Sequence, residues 1–160
     1  MRHKNHRSQL GYFEHLINVT TGAIASLSLP PFFLLPAIFA LSFPMLAYCR
    51  ASSRREAMMI FAGVGLGWFF ASTYWISHSL IINSPSLWAL RPLMALALAL
   101  CLAAFWAMAA ILAWSFGRSP IARALWLIVM LGLGEWCRGF IGTGFPWNLP
   151  GTLFSVTLES

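Results

Sequence analysis

Five apolar runs, each close to the length a helix needs to cross a bilayer, occupy most of this chain and leave it few folds to choose from. They fall at roughly 12–29, 32–49, 57–82, 92–116 and 122–141. Only 9% of the 160 residues are charged, 59% are hydrophobic, and the mean hydropathy is +0.76. A soluble domain carries about 25% charged residues, so this chain lacks the material for a water-facing surface. The expectation is an all-α integral membrane protein, a bundle of about five transmembrane helices (12–141). A basic tail (1–11) precedes the bundle and a loop (142–160) follows it.

Prolines set several boundaries. The first span is diluted by Glu14, His15, Thr20, Thr21, Ser26 and Ser28, and it stops at Pro30-Pro31, where helix continuation loses N–H donors. The second contains Pro36 and Pro44, tolerable where neighbours satisfy the freed carbonyls. A turn, NSPSLWALR (83–91), separates spans three and four, and GRSPIAR (117–123) leads into the fifth.

Sidedness follows from the basic residues. Arg2, Lys4, Arg7, Arg50, Arg54, Arg55, Arg118 and Arg123 fall on one side of a five-span arrangement, and only Arg91 and Arg138 on the other. The positive-inside rule then puts the N-terminus in the cytoplasm and turns residues 142–160 to the outer side. The net charge of +6 is thereby accounted for without nucleic acid, since no basic stripe with interleaved aromatics occurs on a soluble segment. Cys49, Cys101 and Cys137 are far apart and have no metal-ligand spacing. His3 and His6 sit on a polar terminus without further ligands, so neither a metal nor a cofactor is expected.

In AGVGLGWFFA (62–71), Gly63, Gly67 and Ala71 form a small-residue stripe that lets another helix approach closely, within the chain or in a second copy. Tyr74 and Trp75 suit an interfacial position, and His78 reads as a boundary polar residue.

The most informative stretch is EWCRGFIGTGFPW (135–147), which follows the apolar ALWLIVMLGLG (124–134). Glu135 lies roughly 20 Å into a core about 30 Å thick, and Arg138 one turn further. Their i, i+3 spacing allows pairing, and pairing with snorkelling lowers a cost of about 2.5–3.5 kcal/mol per charge. Two readings stand. The pair, joined by Arg91, stabilises the outer end of the bundle; or Arg138 offers its fork to a phospholipid phosphate while Glu135 orients it. Gly142 and Gly144 then permit a sharp turn, and Phe145-Pro146-Trp147 forms a rigid aromatic hook at headgroup depth. Glu135, Arg138, Phe145 and Trp147 are the candidate lipid headgroup or portal residues; no catalytic residue is assigned.

This stretch closely resembles the E-x-x-R-G-x-x-x-T-G-F-P-W signature of bacterial apolipoprotein N-acyltransferases, matching at Glu135, Arg138, Gly139, Thr143, Gly144, Phe145, Pro146 and Trp147. LSLPPFFLLPAIFAL (27–41) and GVGLGWFFASTYWI (63–76) are similar to that family's first turn with second helix and to its glycine-rich third helix. The resemblance implies an inner-membrane, multi-pass enzyme that moves an acyl chain from a phospholipid to the N-terminal amine of a diacylated apolipoprotein cysteine. Its partners would be the phospholipid donor, that apolipoprotein and the surrounding lipids. The family's Glu–Lys–Cys triad lies on a nitrilase-like periplasmic domain. No such domain is present in these 160 residues, whose single lysine is Lys4. The chain is therefore expected to be an N-terminal membrane fragment, truncated before the catalytic domain and inactive alone. The alternative is a non-enzymatic small membrane scaffold or remnant.

Overall fold

The computed structural model describes residues 2–78 and 85–141, with side-chain surroundings for 11–78 and 86–141. The described elements are helical: α1 (Arg2–Ser26), a 3₁₀ helix (Leu35–Leu41), α2 (Ser42–Arg50), α3 (Arg54–Thr73), a second 3₁₀ helix (Pro85–Leu90), α4 (Arg91–Phe116) and α5 (Pro120–Arg138). α3 is the central helix, packed against α1 on one side and α4 on the other, while α5 packs on α4 and α2 bridges α3 and α5.

Local chemistry explains the boundaries. Ser53 caps α3 by accepting from the Glu56 backbone N–H (3.2 Å), and the Glu56 carboxylate returns to the Ser52 N–H (2.8 Å) and hydroxyl (2.6 Å). Ser119 caps α5 in the same way, accepting from Ala122 (3.2 Å), with Pro120 in the first turn. Pro44 falls in the first turn of α2, where its missing N–H costs no helical bond. Upstream of it, around Pro36, the chain adopts 3₁₀ rather than α geometry.

α1 begins at Arg2, inside the segment expected as a tail, because nothing before Gly11 breaks a helix. α3 stops at Thr73, earlier than the expected span; a turn at Tyr74–Trp75 intervenes, helical residues return at 76–78, and 79–82 lie outside the described residues.

Among the described residues, three helical stretches are long and apolar enough to cross a membrane: Arg54–Thr73, Ser86–Phe116 and Pro120–Arg138. Leu35–Arg50 is apolar but shorter. α1 is long but more polar, and it is arranged inside out. Asn18, Thr21 and Ser26 are buried against the bundle, whereas Tyr12, Phe13, Leu16 and Ile17 face outward. α5 likewise exposes Ile121, Leu125, Ile128, Val129 and Leu133. Continuous apolar faces on this scale suit lipid and not water.

The α1–α3 contact is a backbone contact. A Cβ added at Gly22 would lie 2.0 Å from the Val64 carbonyl oxygen, and one at Gly67 would lie 1.9 Å from that of Val19. The small-residue stripe thus serves packing within the chain, with Gly63 opposite Asn18 and Ala71 at an exposed rim. On its other face α3 meets a row of small residues on α4, including Ala95, Ala99, Ala103 and Ala110. Between them sit Tyr48, Phe61, Trp68, Phe69 and Trp106, the aromatic part of the core. Trp106 stacks at 5.7 Å from Trp68 and edge-on at 5.3 Å from Phe69.

Arg50, Arg54, Arg55, Arg118 and Arg123 collect at one end of the bundle, called here the basic end. The Arg123 guanidinium donates to the carbonyls of Ala51 (3.0 Å) and Gly117 (3.2 Å) and lies 4.4 Å from the centre of the Trp114 ring. It ties the ends of α2 and α4 to the start of α5.

Candidate functional site

α5 ends in the pair that the sequence marks out. Arg138 Nη2 donates to Glu135 Oε2 across one helical turn. Glu135 Oε1 accepts a second hydrogen bond, 2.6 Å, from the indole N–H of Trp106 on α4. The Arg138 guanidinium also lies over the Phe69 ring of α3, 5.0 Å from its centre. Three helices therefore meet at this pair.

Its burial changes what the pair can do. The Arg138 side chain is 1% exposed and that of Glu135 12%. Arg138 does not snorkel to an interface, as the sequence suggested; it is held inside the bundle. The reason is local: the carboxylate and an aromatic face supply what water would otherwise supply, so the side chain has no need to reach out. Trp106 stands about 15 Å along α4 from its Phe116 end. The pair thus lies at the depth of the aromatic core.

Arg91, expected to join the pair, is engaged elsewhere. Its Nη2 is 2.8 Å from His78 Nδ1, and its guanidinium lies 5.4 Å from the centre of the Tyr74 ring.

Beyond Arg138 the helix closes through Gly139, whose N–H reaches the Trp136 carbonyl (3.1 Å), and Phe140 and Ile141 both bond back to Cys137 (3.0 Å). The Trp136 and Phe140 rings meet at a tilt of 59°, with centres 5.0 Å apart, on the exposed side. Phe145 and Trp147 lie outside the described residues, as do Thr143, Gly144 and Pro146.

Beside the pair an apolar groove of about 530 Å³ runs between α4 and α5, lined by Phe105, Met108, Leu112, Met130, Leu133 and Cys137 among others. Its shape and lining suit a hydrocarbon chain. Cys101 is exposed, and Cys49 and Cys137 are half-buried; none forms a disulfide. Among the described residues no three His, Cys, Asp or Glu side chains converge as metal ligands would.

The sequence pointed to Glu135 and Arg138 but not to Trp106 or Phe69. Trp106 sits in an Ala- and Leu-rich run, where an aromatic carries no positional mark, and only the three-helix packing shows its role as donor.

Comparison with known proteins gives a consistent result. Residues 21–159 match the apolipoprotein N-acyltransferase N-terminal domain. The chain is 39% identical over 153 residues to the apolipoprotein N-acyltransferase of Rhizobium etli (strain CIAT 652), covering 88% of this chain and 28% of that protein. It is 37% identical over 156 residues to that of Allorhizobium ampelinum, covering 88% and 29%. Against the Brucella suis biovar 1 protein the identity is 38% over 153 residues, with 88% and 28% covered. The chain thus spans under a third of the length of these relatives.

Proposed function

The chain belongs to the apolipoprotein N-acyltransferase N-terminal domain family, and on that premise we propose that it forms the membrane-embedded part of a phospholipid–apolipoprotein N-acyltransferase. The activity served is transfer of an acyl chain from a phospholipid to the N-terminal amine of a diacylated apolipoprotein. No residue of this chain is assigned a chemical step in that transfer. An acyl-transferring thiolate needs a base and an oriented site, whereas Cys49, Cys101 and Cys137 lie in or beside apolar runs and the chain's single lysine is Lys4.

All five spans embed in this reading. The Leu35–Arg50 stretch suffices because seven 3₁₀ residues and nine α residues together rise about 27 Å, close to a core of about 30 Å. α1 turns its polar residues inward and its apolar face to lipid. The basic end faces the cytoplasm of a bacterial inner membrane and the Arg138 end faces the periplasm.

The observation that carries the proposal is the buried Glu135–Arg138 pair, fixed by Trp106 and Phe69 directly before the Gly-Phe-Pro-Trp segment. It anchors the root of that segment to three helices. Glu135 and Arg138 act by positioning, since a side chain 1% exposed and already engaged has little left to offer a headgroup. Phe145 and Trp147 are the residues that meet lipid at the portal, and the α4–α5 groove accepts an acyl chain.

The test is a chimera in which residues 21–159 replace the matching segment of the Rhizobium etli relative. Reconstituted in phospholipid vesicles with a diacylated lipopeptide, it should transfer an acyl chain. A chimera that inserts normally but transfers nothing would refute the proposal and favour a non-enzymatic scaffold or remnant.

A further inference from the structure

At the end of the bundle opposite the basic residues, a second cavity of about 350 Å³ opens between the C-terminal ends of α1 and α3 and the start of α4. Ser26, Tyr74, Trp75, His78 and Arg91 form its polar and aromatic wall. A guanidinium can only donate, so in the 2.8 Å Arg91–His78 contact the imidazole Nδ1 accepts. The proton of the neutral ring then sits on Nε2, which remains a donor. Arg91 Nε is buried and has no hydrogen-bond partner among the described residues.

Among the described residues Arg91 also has no carboxylate partner. The chain contains four acidic residues, of which Glu14, Glu56 and Glu135 are described. Glu135 holds Arg138, and Glu56 caps the start of α3. Glu14 lines a groove at the basic end with Arg50 and Arg55. α3 puts about 30 Å between that end and its own C-terminus, where Arg91 lies. A permanently charged guanidinium beside a cavity with no acid among the described residues of its wall calls for an anionic ligand.

We propose that this cavity binds a phosphate group, with Arg91 as a forked donor and His78 Nε2–H as a second donor. Tyr74 and Trp75 at the rim are the side chains expected at headgroup depth, which points to the phosphodiester of a phospholipid rather than to free phosphate. The proposal rests on α3 and α4 spanning the membrane and is independent of acyl transfer.

The test uses the whole chain in uncharged micelles, with native mass spectrometry reading retention of short-chain phosphatidylglycerol against diacylglycerol of the same chains. The wild type should prefer the phospholipid, and Arg91→Gln should weaken its retention about tenfold or more, with Arg91→Lys in between. Displacement by millimolar inorganic phosphate would support the site and make free phosphate its source; resistance to displacement would support it with lipid as the source. A phosphatidylglycerol with a photoreactive headgroup supplies an arm that needs no variant, and it should cross-link at 74–78 or at Arg91. Unchanged retention in Arg91→Gln, or cross-linking confined to the Arg50–Arg55 end, would overturn the proposal.

Discussion

Removing one member of the Glu135–Arg138 pair should destabilise the bundle far more than removing both. Arg138→Met leaves a carboxylate with 12% exposure and a single donor, Trp106. Glu135→Leu takes the carboxylate from a guanidinium with 1% exposure that also lies over the Phe69 ring. Each is expected to cost about 3–5 kcal/mol, the range for stranding a buried charge. Additivity would then give about 6–10 kcal/mol for the double variant. The double variant strands no charge, and its main loss is the acceptor of the Trp106 N–H, about 1–3 kcal/mol. The predicted coupling is therefore at least about 3 kcal/mol. Reversible unfolding in mixed micelles, followed by far-UV circular dichroism as the denaturing detergent fraction rises, measures all four corners of the cycle. Additive losses, or single variants each costing under about 1 kcal/mol, would refute the three-helix anchor.

Three further variants test the packing. Gly67→Val places atoms where even a Cβ would sit 1.9 Å from the Val19 carbonyl oxygen; α1 and α3 must part, and the same titration should show a loss of about 3 kcal/mol. Trp106→Phe keeps the ring stacking but removes the 2.6 Å bond to Glu135; a loss of about 1.5–3 kcal/mol is expected. Arg123→Ala frees the Gly117 carbonyl and leaves that of Ala51 only the longer bond from the Trp114 indole N–H (3.4 Å); protease nicking near residues 51–53 and 117–119 should rise, with a stability loss of about 2 kcal/mol.

Much of this architecture was legible because lipid imposes simple rules. Where the fourth and fifth spans are expected, at 92–116 and 122–141, the structure has the helices Arg91–Phe116 and Pro120–Arg138. Their ends are marked by Pro92, Gly117, Ser119 and Pro120, residues whose backbone chemistry acts locally. The close helix approach was visible in Gly63 and Gly67, although its partner, Gly22 on α1, was not, since nothing local pairs one glycine with another. The α3 break at Tyr74 carries neither Pro nor Gly and left no mark. The Glu135–Arg138 pair was legible from i, i+3 spacing, but its depth was not. Spacing gives a pairing partner on the same helix, whereas burial depends on Trp106 and Phe69 arriving from two others. His78 read only as a boundary polar residue for the same reason, because its partner Arg91 comes from the start of α4.

The central claim is a bundle that crosses the membrane with its basic end in the cytoplasm and the Gly-Phe-Pro-Trp segment on the other side. Single cysteines at Ser52 and at Asn148, in a chain with Cys49, Cys101 and Cys137 replaced, test it with a membrane-impermeant maleimide on intact spheroplasts. Labelling at 148 with protection at 52, reversed in inverted vesicles, is the predicted result. Labelling of both positions from the same face would contradict the account.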